Sequence, residues 1–276
     1  MSGEYRRVPT TDATRDSMIG KSLMAVFAHP DDEGQIAGLM AMYASQGAKV
    51  SLVCSTRGEL GSTTDHSLLQ GKTMAQLRQE ELQCVCNVLG VNNLEFLDYQ
   101  EGSFHRADSD EVIRRISETI KKLAPQVVVT FGPEGVYQHR DHVAISRWVT
   151  SAFHTVRQET LSQGLEFPLR LYYTAYPRSL FEELHTRGIE FGIDIEGTLH
   201  RIEGVPDEEI TTMVDVSGFQ IQKIRAFRCH ASQLRPGDFR SMIMEGRLIE
   251  LLATERLVRV YPSHMGTGQI ERDLFE

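Results

Sequence analysis

Ser22-Leu-Met-Ala-Val-Phe-Ala-His-Pro-Asp-Asp-Glu-Gly34 decides the fold. The stretch to Ala28 is almost wholly apolar and stops abruptly at His29-Pro30-Asp31-Asp32-Glu33. A short, uninterrupted apolar run suits a strand covered on both faces, as in a parallel sheet. From Gly34 to Gln46 the apolar spacing turns helical through Ile36, Leu39, Met40 and Tyr43, with Gly47 as a stop. Lys49–Cys54 then reads as a second strand. Strand, helix and strand form a βαβ unit, for which a right-handed crossover is the default.

The same alternation continues outward. Lys72–Leu89 is helical, with Leu77, Leu82, Val85 and Leu89 as its core stripe and Gly90 as its stop. Strands are expected at Leu94–Leu97, Gln126–Phe131 and Leu169–Tyr173, and helices at Asp110–Leu123 and Arg140–Val156. This predicts an α/β fold, a Rossmann-like, mainly parallel sheet flanked by helices. Ser179–Val216 is less regular and is expected to form a smaller lid or side sheet that tunes substrate choice. Beyond it, Gln220–Ala231 and Phe239–Leu252 read as helices and Leu257–Tyr261 as a last strand. Residues 1–20 are expected to be a flexible tail, and residues 21–276 a single domain with the 179–216 segment as its insertion.

Composition narrows the function. A net charge of −9 disfavours nucleic acid. No apolar run approaches a membrane span, and the first residues lack the apolar stretch of a signal peptide. Cys54, Cys84, Cys86 and Cys229 contain no C-x-x-C pair, so a thiolate metal site is not expected. They read as reduced, mostly buried thiols of a cytoplasmic protein. Trp148 reads as core packing.

Two constellations carry chemistry. His29, Asp31, Asp32 and Glu33 cluster at a strand end, where ligands of open α/β sheets bind. Crowding carboxylates there is unfavourable without a cation. His29 and Asp32 can reach one ion across the turn, leaving Asp31 free to take a proton from an attacking water. His139 and His142 follow the buried strand at 126–131 and share one side of a helix start. His29, Asp32 and either His139 or His142 complete a three-ligand site. The remaining histidine is then an acid or oxyanion partner, and Asp141 is placed to hold a ring N–H. Zinc suits the donors, and ferrous iron is also accepted. Asp98, at a strand end, is a candidate for sugar hydroxyls.

AHPDDE (Ala28–Glu33), CSTRGELG (Cys54–Gly61), LRQEEL (Leu77–Leu82) and GPEGVYQHRDH (Gly132–His142), taken in order, resemble the LmbE-like (PIG-L) family of metal-dependent N-deacetylases. The likeness spans residues 22–155, with a weaker echo at Lys223 to Gln233, where His230-Ala-Ser-Gln233 reads H-x-S-Q. That family includes enzymes acting on N-acetylglucosaminyl phosphatidylinositol and in mycothiol and bacillithiol metabolism. The resemblance implies zinc ligands His29, Asp32 and His142, with Asp31 as general base. It implies that His139 stabilises or protonates the departing group, and that Asp141 orients His139. Tyr137 falls where some members carry a mobile tyrosine that helps bind the oxyanion. Arg57 matches an arginine that contacts the substrate's polar head. Arg140 departs from the proline common in the family. The implied partner is a small N-acylated, sugar-like molecule, and a homo-oligomer is compatible. The rival readings are a metal-dependent phosphoesterase, which wants a second metal and more carboxylates, and a non-catalytic binding protein of the same fold.

Overall fold

The computed structural model describes residues 17–189, 192–195, 198–235, 239–246, 248–263 and 268–276. The tail expected at 1–20 therefore lies outside the described residues as far as residue 16.

The parallel part of the sheet is built from β1 (Ser22–Phe27), β2 (Lys49–Cys54), β3 (Asn93–Phe96), β4 (Val127–Phe131) and β5 (Arg170–Thr174). The first four are joined by α1 (Ala37–Ser45), α2 (Met74–Leu89) and α3 (Ser109–Leu123). A short turn α4 (Gly135–Gln138) and the long α5 (Arg140–Ser162) lead from β4 to β5. After α6 (Arg178–Thr186), the strands β6 (Gly192–Ile195) and β7 (Thr198–Arg201) form a separate antiparallel pair. β8 (Thr212–Asp215), α7 (Gln220–Cys229), α8 (Phe239–Met244) and β9 (Thr254–Tyr261) complete the order.

The main sheet runs β3-β2-β1-β4-β5-β9-β8, parallel from β3 to β5 and antiparallel at β9 and β8. β1 and β4 are fully buried apart from Ser22, as their apolar runs require. Chain order reverses between them: β2 and β3 continue to one side of β1, β4 and β5 to the other. That reversal opens a crevice at the carboxyl ends of β1 and β4. Right-handed crossovers then place α1 and α2 on one face and α3 on the opposite one. There α7 packs on α1 and α2, and α5 packs on α3.

One expectation is corrected here. Cys84 on α2 and Cys229 on α7 are joined by a disulfide, with Cα atoms 5.7 Å apart across a separation of 145 residues. Local spacing could not find this pair, because the partner of Cys84 sits on a helix that packs alongside from far down the chain. Cys54 and Cys86 are buried free thiols. Closing so long a loop restricts the unfolded chain, so Cys84→Ser is expected to cost about 2–5 kcal/mol. Urea melts should then coincide for the variant and for reduced wild type; coincidence of the variant with oxidised wild type would show that the bridge adds nothing.

The N-terminus of α1 lacks a local cap, because Ile36 has no side chain that can accept a hydrogen bond. Glu255 from β9 does this work instead, accepting from Gly38 N and Leu39 N, both at 2.8 Å. Its charge is matched by Lys223 Nζ of α7 at 2.5 Å, and both residues are buried. Gly38 has to be glycine: a Cβ there would meet Val216 at 2.7 Å and Glu255 at 3.0 Å.

Candidate metal centre and active site

His29 leaves the end of β1, and His142 sits in the first turn of α5 beyond β4, so the crevice brings them together. His29 Nδ1 lies 3.1 Å from His142 Nε2. Asp32 spans the pair, with Oδ1 3.4 Å from His142 Nε2 and Oδ2 3.4 Å from His29 Nδ1. Asp32 Oδ2 also accepts the His29 backbone N–H at 2.7 Å, which fixes the turn.

The second nitrogen of each imidazole faces an acceptor. His29 Nε2 is 3.3 Å from Asp141 Oδ2, and His142 Nδ1 is 3.2 Å from the Gly135 carbonyl. This is the outer support that metal-binding histidines usually have, and it turns His29 Nδ1 and His142 Nε2 toward each other. Phe131 stacks on the His142 ring at 4.1 Å and limits its rotation. Gly135 has φ +59 and no room for a Cβ, which would come within 3.0 Å of His142 and Val143.

These donors fit a divalent metal. Tetrahedral zinc with bonds of about 2.0–2.1 Å separates its ligand atoms by about 3.3 Å, close to the spacings seen. The charge balance agrees. Burial opposes a charge on His29, yet the hydrogen bonds it donates to Asp141 and Asp32, with the charges of Asp32 and Glu101, push its pKa up to about 10. Burial also works against ionised Asp32, but His142 and His29 hold it well below the usual carboxylate range. The cluster thus favours positive charge at the point where a cation would sit. Burial pushes His142 down to about 4, against the pull of Asp32, which leaves its imidazole neutral and able to ligate.

His139 stands beside this triangle, its ring 4.9 Å from His29 and 4.5 Å from His142. Its nitrogens fall with those of His29 and His142 inside a 4.8 Å group, so distance alone leaves a three-histidine set open. The tighter triangle is the one with Asp32. His139 Nδ1 accepts the Asp141 backbone N–H at 3.3 Å, which leaves the ring proton of a neutral imidazole on Nε2. Burial, aided by the charge on His29, lowers the His139 pKa and favours that neutral form.

Asp141 meets His139 through its backbone N–H and not through its side chain. Its carboxylate does not hold the His139 ring. It accepts from His29 Nε2, from Gly102 N at 3.1 Å, and from His105 N and Nδ1, both at 3.0 Å. Asp141 begins α5 and so faces across the crevice to the loop after β3, which local spacing cannot reveal.

Asp31 has φ 105 and ψ −14, a backbone conformation that L residues rarely adopt and that collects at functional sites. Arg78 Nη2 lies 3.3 Å from Asp31 Oδ1 and also bonds the Pro30 carbonyl. Sequence reading missed Arg78. The available signal was a charged residue beside the Leu77–Leu82 stripe of a buried helix face.

Asp31, Asp32 and His142 floor a cavity of about 250 Å³. Tyr137 stands on one wall, with its ring 5.6 Å from that of His139 and 5.4 Å from that of His142. Tyr176, Leu180, Phe227 and Arg256 also line the cavity, so much of the pocket comes from the chain beyond β5. Arg57 and Asp98 do not line this cavity. They pair with each other at 2.7 Å on the rim beyond β2 and β3, with the guanidinium 4.4 Å above the Phe96 ring. The Arg57 backbone N–H donates to Glu59 Oε1 at 3.3 Å.

The PIG-L profile, described as GlcNAc-PI de-N-acetylase, matches residues 24–153. A 1D-myo-inositol 2-acetamido-2-deoxy-α-D-glucopyranoside deacetylase of Streptomyces scabiei is 31% identical over 94% of this chain and 90% of its own length. The chain belongs to the PIG-L (LmbE-like) family of deacetylases. A family member of the same description from Thermobifida fusca is 30% identical over 94% of this chain and all of its own. Among solved structures, the N,N'-diacetylchitobiose deacetylase of Pyrococcus horikoshii has a TM-score of 0.61 at 17% identity, covering 89% of this chain and 88% of its own. The 4-carboxy-2-hydroxymuconate hydratase GalB of Pseudomonas putida reaches 0.59 at 21% identity, covering 88% and 97%. The PIG-L fold therefore carries more than one reaction, and the argument for chemistry has to come from the site. Among the described residues, no helix is long and apolar enough to cross a membrane.

Proposed function

We propose that this PIG-L member is a zinc-dependent deacetylase that hydrolyses the acetamide of a small N-acetylglucosamine-type sugar, releasing acetate and a free amine. The observation that carries the reading is the buried His29–Asp32–His142 triangle with Asp31 beside it at the floor of a cavity. The inositol-linked acetamido sugar named for the Streptomyces scabiei and Thermobifida fusca relatives is the first substrate to test.

Bound zinc would supply an acidified water and a polarised carbonyl. The chain does the rest. Asp31 accepts the proton of the attacking water, and Arg78 keeps its carboxylate in place. The neutral His139 offers its Nε2 proton to the oxygen that gains charge, with Tyr137, whose ring is 5.6 Å away, at hand on the cavity wall. The leaving nitrogen then takes back the proton held by Asp31. Asp141 acts at one remove by orienting His29. Arg57, for the substrate's polar head, and Asp98, for sugar hydroxyls, stay proposed contacts, paired with each other outside the cavity lining.

The two-metal phosphoesterase has less support. Among the described residues a single group with metal-binding spacing stands out, His29, His139 and His142, and Asp32 adjoins that same group. The reading treats residues 21–276 as one domain whose 179–216 segment tunes substrate choice. With it goes a homo-oligomer, checked by light scattering; the Cys84–Cys229 bridge removes the thiol argument for a cytoplasmic location, which cell fractionation checks.

The deciding assay measures amine released from the inositol-linked sugar and from free N-acetylglucosamine. It compares protein stripped by chelator with protein restored with zinc or ferrous iron. Zinc-restored protein should turn over the inositol-linked sugar and stripped protein should not. Equal rates with and without metal would end the proposal.

A further inference from the structure

We propose that His230 is a positioning residue for Asp31, acting through Glu33; the inference rests on the reading of Asp31 as the proton acceptor. Asp31 is held in a left-handed backbone conformation, which an L residue keeps only when its surroundings impose it. The imposing contact is on its own N–H, which donates to Glu33 Oε2 at 2.9 Å. The other Glu33 oxygen, Oε1, accepts from His230 Nε2 at 2.7 Å. Glu33 and His230 are 2% and 1% exposed, so water does not compete for either contact.

The far end of this relay is fixed as firmly. His230 directly follows α7, whose last residue, Cys229, is bridged to Cys84 of α2. Two residues on, Ser232 donates from both N and Oγ to Glu81 of α2, each at 2.7 Å. Arg78, which meets the Asp31 carboxylate, lies on that same helix. One helix therefore holds Asp31 twice: directly through Arg78, and indirectly through His230 and Glu33. No atom of this relay belongs to the ligand triangle. Its loss should misplace the proton acceptor and leave metal and substrate bound.

The test compares His230→Leu, which removes the donor, with His230→Gln, whose amide nitrogen can reach the place of Nε2. Zinc content, thermal midpoint, kcat and KM are measured for each zinc-loaded protein. The expected result is a kcat lowered about 10–100-fold in His230→Leu, with zinc content and KM unchanged and most of kcat regained in His230→Gln. Should His230→Leu fail to fold, His230→Asn takes its place, because its shorter amide falls short of Glu33. A crystal structure of the slow variant should show Asp31 out of the left-handed region. Unchanged kcat, or a loss that follows zinc content or KM, overturns the proposal. Wild-type protein that releases no amine from any acetamido sugar instead refutes the functional reading, and the backbone of Asp31 in the variant crystal then decides the relay alone.

Discussion

Asp31→Ala is expected to lower kcat by about 10³-fold while zinc content stays at the wild-type level. The carboxylate lies beside the ligand triangle and not within it, so its removal leaves the donors His29, Asp32 and His142 in place. A general base contributes about 10²–10⁴-fold, and about 4 kcal/mol of barrier corresponds to the middle of that range. The Glu33 contact on the backbone N–H of residue 31 remains in the variant, and alanine tolerates the left-handed conformation less well than aspartate, so a modest loss of stability should accompany the loss of kcat. Steady-state amine release and metal analysis on the same sample make the check. A variant with near wild-type kcat would remove Asp31 from the reaction. A variant without zinc would move it into the ligand set.

The second large effect concerns which side chains hold the metal. His142→Ala should weaken zinc binding by more than about 100-fold, because loss of an outer partner alone costs about 10–100-fold. Activity should fall with zinc content. His139→Ala is the informative partner, since its nitrogens share the same 4.8 Å group. If Asp32 completes the triangle, His139→Ala keeps its zinc and loses kcat. Metal analysis after gel filtration separates the cases. Equal loss of zinc from both variants would favour the three-histidine site and displace Asp32.

Much of the fold was legible because the central strands are buried on both faces. Lys49–Cys54 coincides with its apolar run, and β1 and β4 depart from theirs by one residue. Segments where the apolar signal fades were read less well. α5 runs on to Ser162 past a last turn, Gln158–Ser162, whose residues are mostly polar. Phe239–Leu252, expected as one helix, breaks at Gly246, which has φ +79, and resumes as a single turn at Ile249–Ala253. β9 begins at Thr254, three residues early, because Glu255 and Arg256 disguise its start.

At the site, residues that follow β1 and β4 could be read because a strand end fixes where the chain must deliver them. Their supports could not. His105 on Asp141, Arg78 on Asp31 and His230 on Glu33 come from separate segments that only the folded sheet and its helices bring together. Arg57 and Asp98 show the converse: each was found as a residue, but their pairing was not.

Glu255 has a bearing on how such an enzyme could be recombined. The profile match ends at residue 153, and β9 with much of the pocket wall lies beyond it. Grafting a relative's distal half onto this metal edge looks like a simple way to change selectivity. Yet the donated half would have to bring a carboxylate for the two amides that begin α1, an ammonium to balance it, and an imidazole for Glu33. A chimera lacking them would inherit the new pocket and lose the turn that presents Asp31 to it.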